Sequence, residues 1–205
     1  MNASVSSRVW NLFKQMSGKL PGSGAIKAGV LTAAALLAVS SAQGQRVTST
    51  IGAGTAPTAV EVNPVTNKVY VANSGSNNVT VIDGATNSTA TVAAGTGPAA
   101  LAVNPVTNKV YVANQGGTVT VINGNDNSTI PPVNAGTAPA AIAVNPVSNK
   151  IYVANSGSSN VTVINGSTDA VLGTVTVGTT PTALGVNPDK PDLRGQQRQQ
   201  QRDRD

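Results

Sequence analysis

A repeat of about 41 residues, four short strand-like runs inside each repeat, and a composition of small, β-branched and turn-forming residues predict an all-β fold: a β-propeller of four-stranded antiparallel blades. Asn63-Pro64 returns as Asn104-Pro105, Asn145-Pro146 and Asn187-Pro188, at intervals of 41, 41 and 42 residues. The text around these anchors, NPVTNKVYVANSGSNNVTVIDG, NPVTNKVYVANQGGTVTVING and NPVSNKIYVANSGSSNVTVING, is nearly copied from unit to unit. Of 205 residues only 10% are charged and 2% aromatic, while 21 are Gly and 12 are Pro. That profile suits short strands joined by turns rather than helices.

In the first unit the strand-like runs are Thr58 to Val62, Lys68 to Ala72, Val79 to Ile82 and Thr89 to Ala93. Each joining turn has a chemical reason. Pro64 presets a turn position, and Asn67 tolerates left-handed geometry. Ser74-Gly75-Ser76-Asn77 makes a hairpin loop, and Asp83-Gly84 (Asn123-Gly124 and Asn165-Gly166 in the later units) closes the next hairpin. Runs such as Val-Tyr-Val-Ala lack strict polar alternation, as expected of a blade covered on both faces by its neighbours.

The Tyr-Val-Ala-Asn block at Tyr70, Tyr111 and Tyr152 keeps a fixed register with the Gly-x-x-Pro and Val-Ile-Asp/Asn-Gly blocks. On these motifs the region from Arg46 to Pro188 resembles the YVTN family of β-propeller repeats, with Ala in place of Thr in the name-giving motif. The resemblance implies an exported bacterial or archaeal protein with a binding, surface or scaffold role, and it carries no shared catalytic set.

Before the repeats, a basic stretch ending at Lys27 precedes the apolar run Ala28 to Val39, followed by Ser40-Ser41-Ala42-Gln43-Gly44. This reads as an N-terminal signal helix within a signal peptide over 1–44, with its n-region at 1–27 and h-region at 28–39; cleavage after Ala42 or after Gly44 both fit. A spanning helix needs roughly 20 apolar residues, more than this run supplies. The long n-region with Trp10 and Phe13 keeps an uncleaved anchor as the alternative, so any membrane association is expected through this segment alone.

The formal charge of +5 invites a nucleic-acid reading, which the location of the charges removes. Arg8, Lys14, Lys19 and Lys27 sit in the leader with no acid. From 46 to 188, Arg46, Lys68, Lys109 and Lys150 balance Glu61, Asp83, Asp126 and Asp169. The chain has no Cys and no His, so disulfides, thiolate metal sites and the commonest general base are all excluded.

Arg46 to Ile51 resembles the last strand of a blade, the usual device by which an N-terminal strand completes a blade formed by the C-terminus. Counting from there, the repeats amount to about three and a half blades, an incomplete and open arc. The tail 189–205, DKPDLRGQQRQQQRDRD, has the composition of a disordered segment. It has a second reading. If the repeat text IYVANSGSNNVTVI is written in codons ending in C or G, preceded by a G and read one base early, it becomes DLRGQQRQQQRDRD, identical to Asp192–Asp205 at every position. The tail is therefore expected to be a fourth blade read out of frame, a hypothesis that fails if the coding DNA near Asp189 contains no blade in either alternative frame.

The candidate residues have modest structural expectations. Asp83, Asp126 and Asp169 flank hairpin turns and read as turn-formers. Glu61, the sole glutamate, lies on an inner strand. Lys68, Lys109 and Lys150 recur at strand starts and read as solvated edge lysines. Tyr70, Tyr111 and Tyr152 read as packing between blades. Asn78, Asn87, Asn127 and Asn160 begin glycosylation-type triplets, frequent by chance in a chain so rich in Asn and Thr. No catalytic, cofactor-binding or metal-ligating set is expected. The function expected is a non-enzymatic, exported binding or surface-scaffold module that meets a protein or carbohydrate at one face of the propeller, with self-association through open blade edges. The alternative is a fragment of a lactonase-like or quinone-dependent dehydrogenase-like propeller enzyme.

Overall fold

The computed structural model of the chain describes residues 50–187. The expected signal segment, residues 46–49 of the expected outer strand, and the tail 189–205 lie outside them. Twelve strands make up the described fold, with no helix among them. β1 (Pro57–Asn63), β2 (Lys68–Asn73), β3 (Asn78–Asp83) and β4 (Thr89–Ala93) form the first sheet. β5 (Pro98–Asn104), β6 (Lys109–Asn114), β7 (Thr118–Asn123) and β8 (Thr129–Asn134) form the second. β9 (Pro139–Asn145), β10 (Lys150–Asn155), β11 (Asn160–Asn165) and β12 (Val171–Thr176) form the third. Every pairing is antiparallel between consecutive strands, the connectivity of a propeller blade. The expected runs of the first unit fall within β1 to β4.

The turns fold for local reasons. At the β1–β2 turn and its two copies, the Asn of Asn-Pro accepts an amide through Oδ1: Val65 to Asn63, Val106 to Asn104 and Val147 to Asn145, each at 3.0 Å. Asn67, Asn108 and Asn149 then take left-handed φ values of 54°, 51° and 48°, a conformation Asn accepts more readily than most residues. In the second blade the β6–β7 loop is one residue shorter than its counterparts. The extra residue is recovered in β8, where the register slips between Val119 and Val121, so the period is preserved. Pro131 and Pro132 fit in β8 because it is the outermost strand, where a missing N–H breaks no ladder on its far side.

The sheets pack side by side, with β1 against β5 and β5 against β9, so the first strand of each blade is innermost. Two apolar clusters fill the junctions. One joins Tyr70, Val79 and Val81 of the first blade to Leu101, Val110 and Ile122 of the second. The other joins Tyr111, Val119 and Val121 to Ile151, Val153 and Ile164. Each fully buried Val or Ile contributes on the order of 1.5–3 kcal/mol by leaving water. Alternate residues of one strand therefore serve two junctions, which is why the strands of the middle blade are apolar on both faces.

Two expectations do not appear as strands. Thr50 and Ile51 are not in a strand, so the end of the expected outer strand is not paired. Residues 181–187, PTALGVN, copy PTAVEVN of β1 yet form no strand and are largely exposed. A first strand takes its ladder from the second strand of its own blade, and among the described residues no such partner follows. The preceding turn survives alone: Thr180 has φ 54°, matching Ala56 at 49° and Ala138 at 50°.

Candidate functional site

The motif residues meet at the blade junctions, and the geometry there accounts for most of the charged and amide side chains. Within each blade the Asn that ends the second strand is buried and donates through Nδ2 across the hairpin. Asn73 bonds Asn78 Oδ1 at 2.9 Å and Thr80 Oγ1 at 3.0 Å; Asn114 bonds Thr120 Oγ1 at 3.0 Å; Asn155 bonds Thr162 Oγ1 at 2.9 Å. This ties the Tyr-Val-Ala-Asn block to the Val-Thr-Val block.

Between blades, Asn63 Nδ2 donates to Asn108 Oδ1 and Asn104 Nδ2 to Asn149 Oδ1, both at 2.7 Å. These bridges lie directly over Gly124 and Gly166, both buried. A Cβ at Gly124 would come within 2.7 Å of Asn63 Nδ2, and one at Gly166 within 2.6 Å of Asn104 Nδ2. The glycine that closes the β7–β8 and β11–β12 hairpins is thus also the seat of the bridge from the preceding blade.

A lysine completes each junction. Lys68 Nζ donates to the Gly124 and Asn125 carbonyls, both at 2.9 Å, and to Asn127 Oδ1 at 3.0 Å. Lys109 Nζ pairs with Asp169 Oδ2 at 2.5 Å, in a site where the two side chains are 22% and 11% exposed. Tyr111 adds its hydroxyl, donating to Asp169 Oδ1 at 2.7 Å and to the Gly166 carbonyl at 3.3 Å. Burial, followed by the neighbouring Asp169 carboxylate, pushes the Tyr111 phenol far above its ordinary pKa. The Tyr70 hydroxyl, buried beside Asn63 and Thr66, makes no hydrogen bond of good geometry.

Lys68 and Lys109 are therefore clamps on the next blade, not solvated edge lysines. A lysine one strand from an edge reaches the neighbouring blade's hairpin, a distance the sequence does not display. Asp169 does more than form a turn. It stands at φ 60°, where the other blades have Asn87 at 61° and Asn127 at 63°, and it faces the preceding lysine. The signal for this was present as a single Asp in a column of Asn opposite a recurring Lys. Tyr70 and Tyr111 pack between blades as expected, and Tyr152 is half-buried.

The other carboxylates stay local. Asp83 Oδ1 accepts the amides of Ala85 and Thr86 at 2.9 Å, and the Thr86 and Ala85 amides hold its carboxyl below the usual range. Asp126 accepts from the hydroxyl and amide of Ser128, which lower it likewise. Glu61, half-buried, is opposite Tyr70 in the register of β1 and β2, at the place held by Ala102 and Ala143 in the later blades. Among the described residues no three His, Cys, Asp or Glu side chains gather as a metal site would require.

The clamps occupy one end of the blades. At the other end lie the β2–β3 loop with its two copies and the connections between blades, rich in Ser, Thr, Asn, Gln and Gly. These are braced together: Ser74 N donates to Ala56 O, Gln115 N to Gly97 O and Ser156 N to Ala138 O, at 2.9–3.0 Å. Thr55, Thr96, Thr137 and Gln115 remain exposed there. This end presents neutral hydrogen-bonding groups, on loops tied to one another by backbone hydrogen bonds.

Three side-by-side four-stranded antiparallel sheets with their first strands innermost define a propeller-like repeat protein. No known family matches the sequence. No curated protein matches it either. Solved structures match the fold. Hydrazine synthase of Kuenenia stuttgartiensis aligns over 67% of this chain and 39% of its own, at 24% identity and a TM-score of 0.57. Apo AztD from Citrobacter koseri aligns over 60% of this chain and 35% of its own, at 19% identity and 0.53. The structure of U3-55K aligns over 61% and 40%, at 10% identity and 0.55. The chain thus spans two fifths or less of these neighbours' lengths, and at such identities the likeness is one of fold.

Proposed function

We propose that this chain is an exported, non-enzymatic propeller repeat protein of the YVTN type, a binding or surface-scaffold module that meets a protein or carbohydrate at the end of the blades carrying the Thr-, Ser- and Gln-rich loops. The observation that carries the reading is the use made of the charged side chains. Lys68, Lys109 and Asp169 lock blade to blade, and Asp83 and Asp126 shape turns. What faces outward at the loop end is hydroxyl and amide chemistry, which recognises sugars and peptide backbones without performing acid–base or metal chemistry on them.

The test combines two measurements on the purified chain. A defined oligosaccharide and peptide array should give saturable binding that weakens with Thr96→Val, Thr137→Val or Gln115→Ala. Metal analysis should give substoichiometric metal. Stoichiometric zinc or calcium, or turnover of a lactone substrate, overturns the reading in favour of a propeller enzyme. Localisation is checked by fractionating the producing cells, with recovery in the cytoplasm counting against export.

A further inference from the structure

One buried phenol is left over from the junction between the first and second blades. Tyr70 is fully buried, and its hydroxyl has no hydrogen-bond partner. The hydroxyl of Thr66, beside it and equally shut off from water, has none either. Polar groups out of water are almost always bonded, so a group of matching chemistry is expected to meet these two. Asn127 shows what that chemistry is. The Lys68 ammonium has only donors, so the amide that meets it at 3.0 Å does so through Oδ1. Its Nδ2 then takes the place that Asp169 Oδ1 holds in the next junction, where Asp169 accepts the Tyr111 hydroxyl at 2.7 Å. The phenol with an acceptor beside it in the second junction thus faces a donor in the first.

The charge balance points the same way. All the N–H groups of Lys68 end on neutral acceptors: the Gly124 and Asn125 carbonyls and Asn127 Oδ1. Asp83, opposite Lys68 in the β2–β3 ladder, turns Oδ1 to the amides of Ala85 and Thr86, and Asp126 turns Oδ1 to Ser128. Neither makes an ion pair with Lys68, whereas Lys109 has the Asp169 carboxylate. The first junction therefore holds an ammonium without a paired counter-charge, next to hydroxyl and amide donors that lack an acceptor. That arrangement is complementary to a small anion.

We infer that the junction between the first and second blades binds a chloride ion between the Tyr70 and Thr66 hydroxyls and the Asn127 Nδ2, where the ion supplies to Lys68 the counter-charge that Asp169 supplies to Lys109. A monovalent ion of this size matches the single charge of the ammonium. It gives both hydroxyls an acceptor at once. A water molecule in the same place would satisfy the hydroxyls and leave the ammonium as it is, and that difference decides the test.

Urea unfolding of the purified chain, with sodium gluconate replaced stepwise by sodium chloride at constant ionic strength, supplies that test; gluconate is too bulky for a buried place, and screening stays the same throughout. A ligand that binds only the folded chain raises the folding constant by about tenfold for each tenfold of ligand once its site is filled. The wild type should show that rise with chloride. Asn127→Asp puts a carboxylate in the site and Tyr70→Phe removes a donor, so both should flatten it, while in gluconate alone Tyr70→Phe should unfold like the wild type. Asp169→Asn gives the second junction the composition of the first, at a backbone position where Asn87 and Asn127 already stand at φ 61° and 63°. Its folding constant should gain a second chloride dependence, about a hundredfold for each tenfold of chloride. A wild-type folding constant equal in chloride and gluconate overturns the inference and leaves water as the partner of Tyr70. A chloride effect that the wild type shares equally with every variant is a general salt effect and overturns it as well.

Discussion

The junction between the first and second blades and that between the second and third are built from the same parts and differ at one acceptor. In the first, Lys68 ends on two carbonyls and the neutral amide of Asn127, and the Tyr70 hydroxyl is left without a good partner. In the second, the carboxylate of Asp169 accepts both Lys109 and Tyr111. One fold position thus shows two ways of neutralising a lysine on a neighbour's hairpin: dispersed carbonyl dipoles, or a single counter-charge that also recruits a phenol. The second gathers more bonds on one atom pair and is the more exposed to damage if that residue is lost.

Asp169→Ala should therefore break the comparison hardest. It leaves the mostly buried Lys109 ammonium without its counter-charge and the Tyr111 hydroxyl with only a long bond to Gly166. Removing one member of such a pair costs about 3 kcal/mol. A fall of that size in the unfolding free energy measured by urea denaturation is expected, and the double change Asp169→Ala with Lys109→Met should recover most of it. An unfolding free energy within about 0.5 kcal/mol of wild type, roughly the scatter of an inert surface change, would show the pair to be idle.

The reciprocal change, Asn127→Asp, transplants the acceptor into the first junction. It gives Lys68 a carboxylate and puts an acceptor near Tyr70, so stability should rise by about 1 kcal/mol. A loss of stability would mean that the carbonyls of Gly124 and Asn125 already satisfy Lys68 and that the added charge is not neutralised.

The two tyrosines sharpen the contrast. Tyr111→Phe removes a bonded hydroxyl and should cost about 1 kcal/mol, while Tyr70→Phe removes one without a partner and should be close to neutral. Their pH behaviour follows from the raised phenol pKa in both junctions. Below the ordinary tyrosine range both folded and unfolded chains keep the proton, so the stability is fully present. As pH rises through about 10 the unfolded phenol ionises first, the folded state holds more protons, and stability falls. Tyr111→Phe should flatten that alkaline decline measurably. An unchanged slope would place its origin elsewhere.

Much of this is legible in the sequence. The period, the strand bounds of the first unit and the left-handed Asn67 follow from nearest-neighbour chemistry, which repeats with the text. Even the turn at Thr180 forms as its copies do, with φ 54°. What the text could not carry was non-local. PTALGVN at 181–187 copies a strand and is not one, since a first strand is made by a ladder with another strand and not by its own text. Lys68 and Lys109 looked like edge residues because their partners lie 56 and 60 residues away, on the next blade. The Asn–Asn bridges were missed for the same reason, since each joins positions 45 residues apart.

The smallest expected effect tests whether the connections between blades differ as the junctions do. The same turn position is Gly97 before the second blade, at φ 63°, and Ala138 before the third, at φ 50°. An alanine in the left-handed region carries a steric cost that glycine escapes, partly offset by the greater freedom glycine loses on folding. Ala138→Gly should therefore raise stability by about 0.5 kcal/mol. Gly97→Ala should lower it by about 1 kcal/mol, because its Cβ would also press to 3.3 Å of the Gln115 Cβ. Opposite signs from the same pair of residues at equivalent positions would locate the effect in the backbone. Equal signs would show that the surrounding loops, one residue shorter beside Gly97, decide it instead.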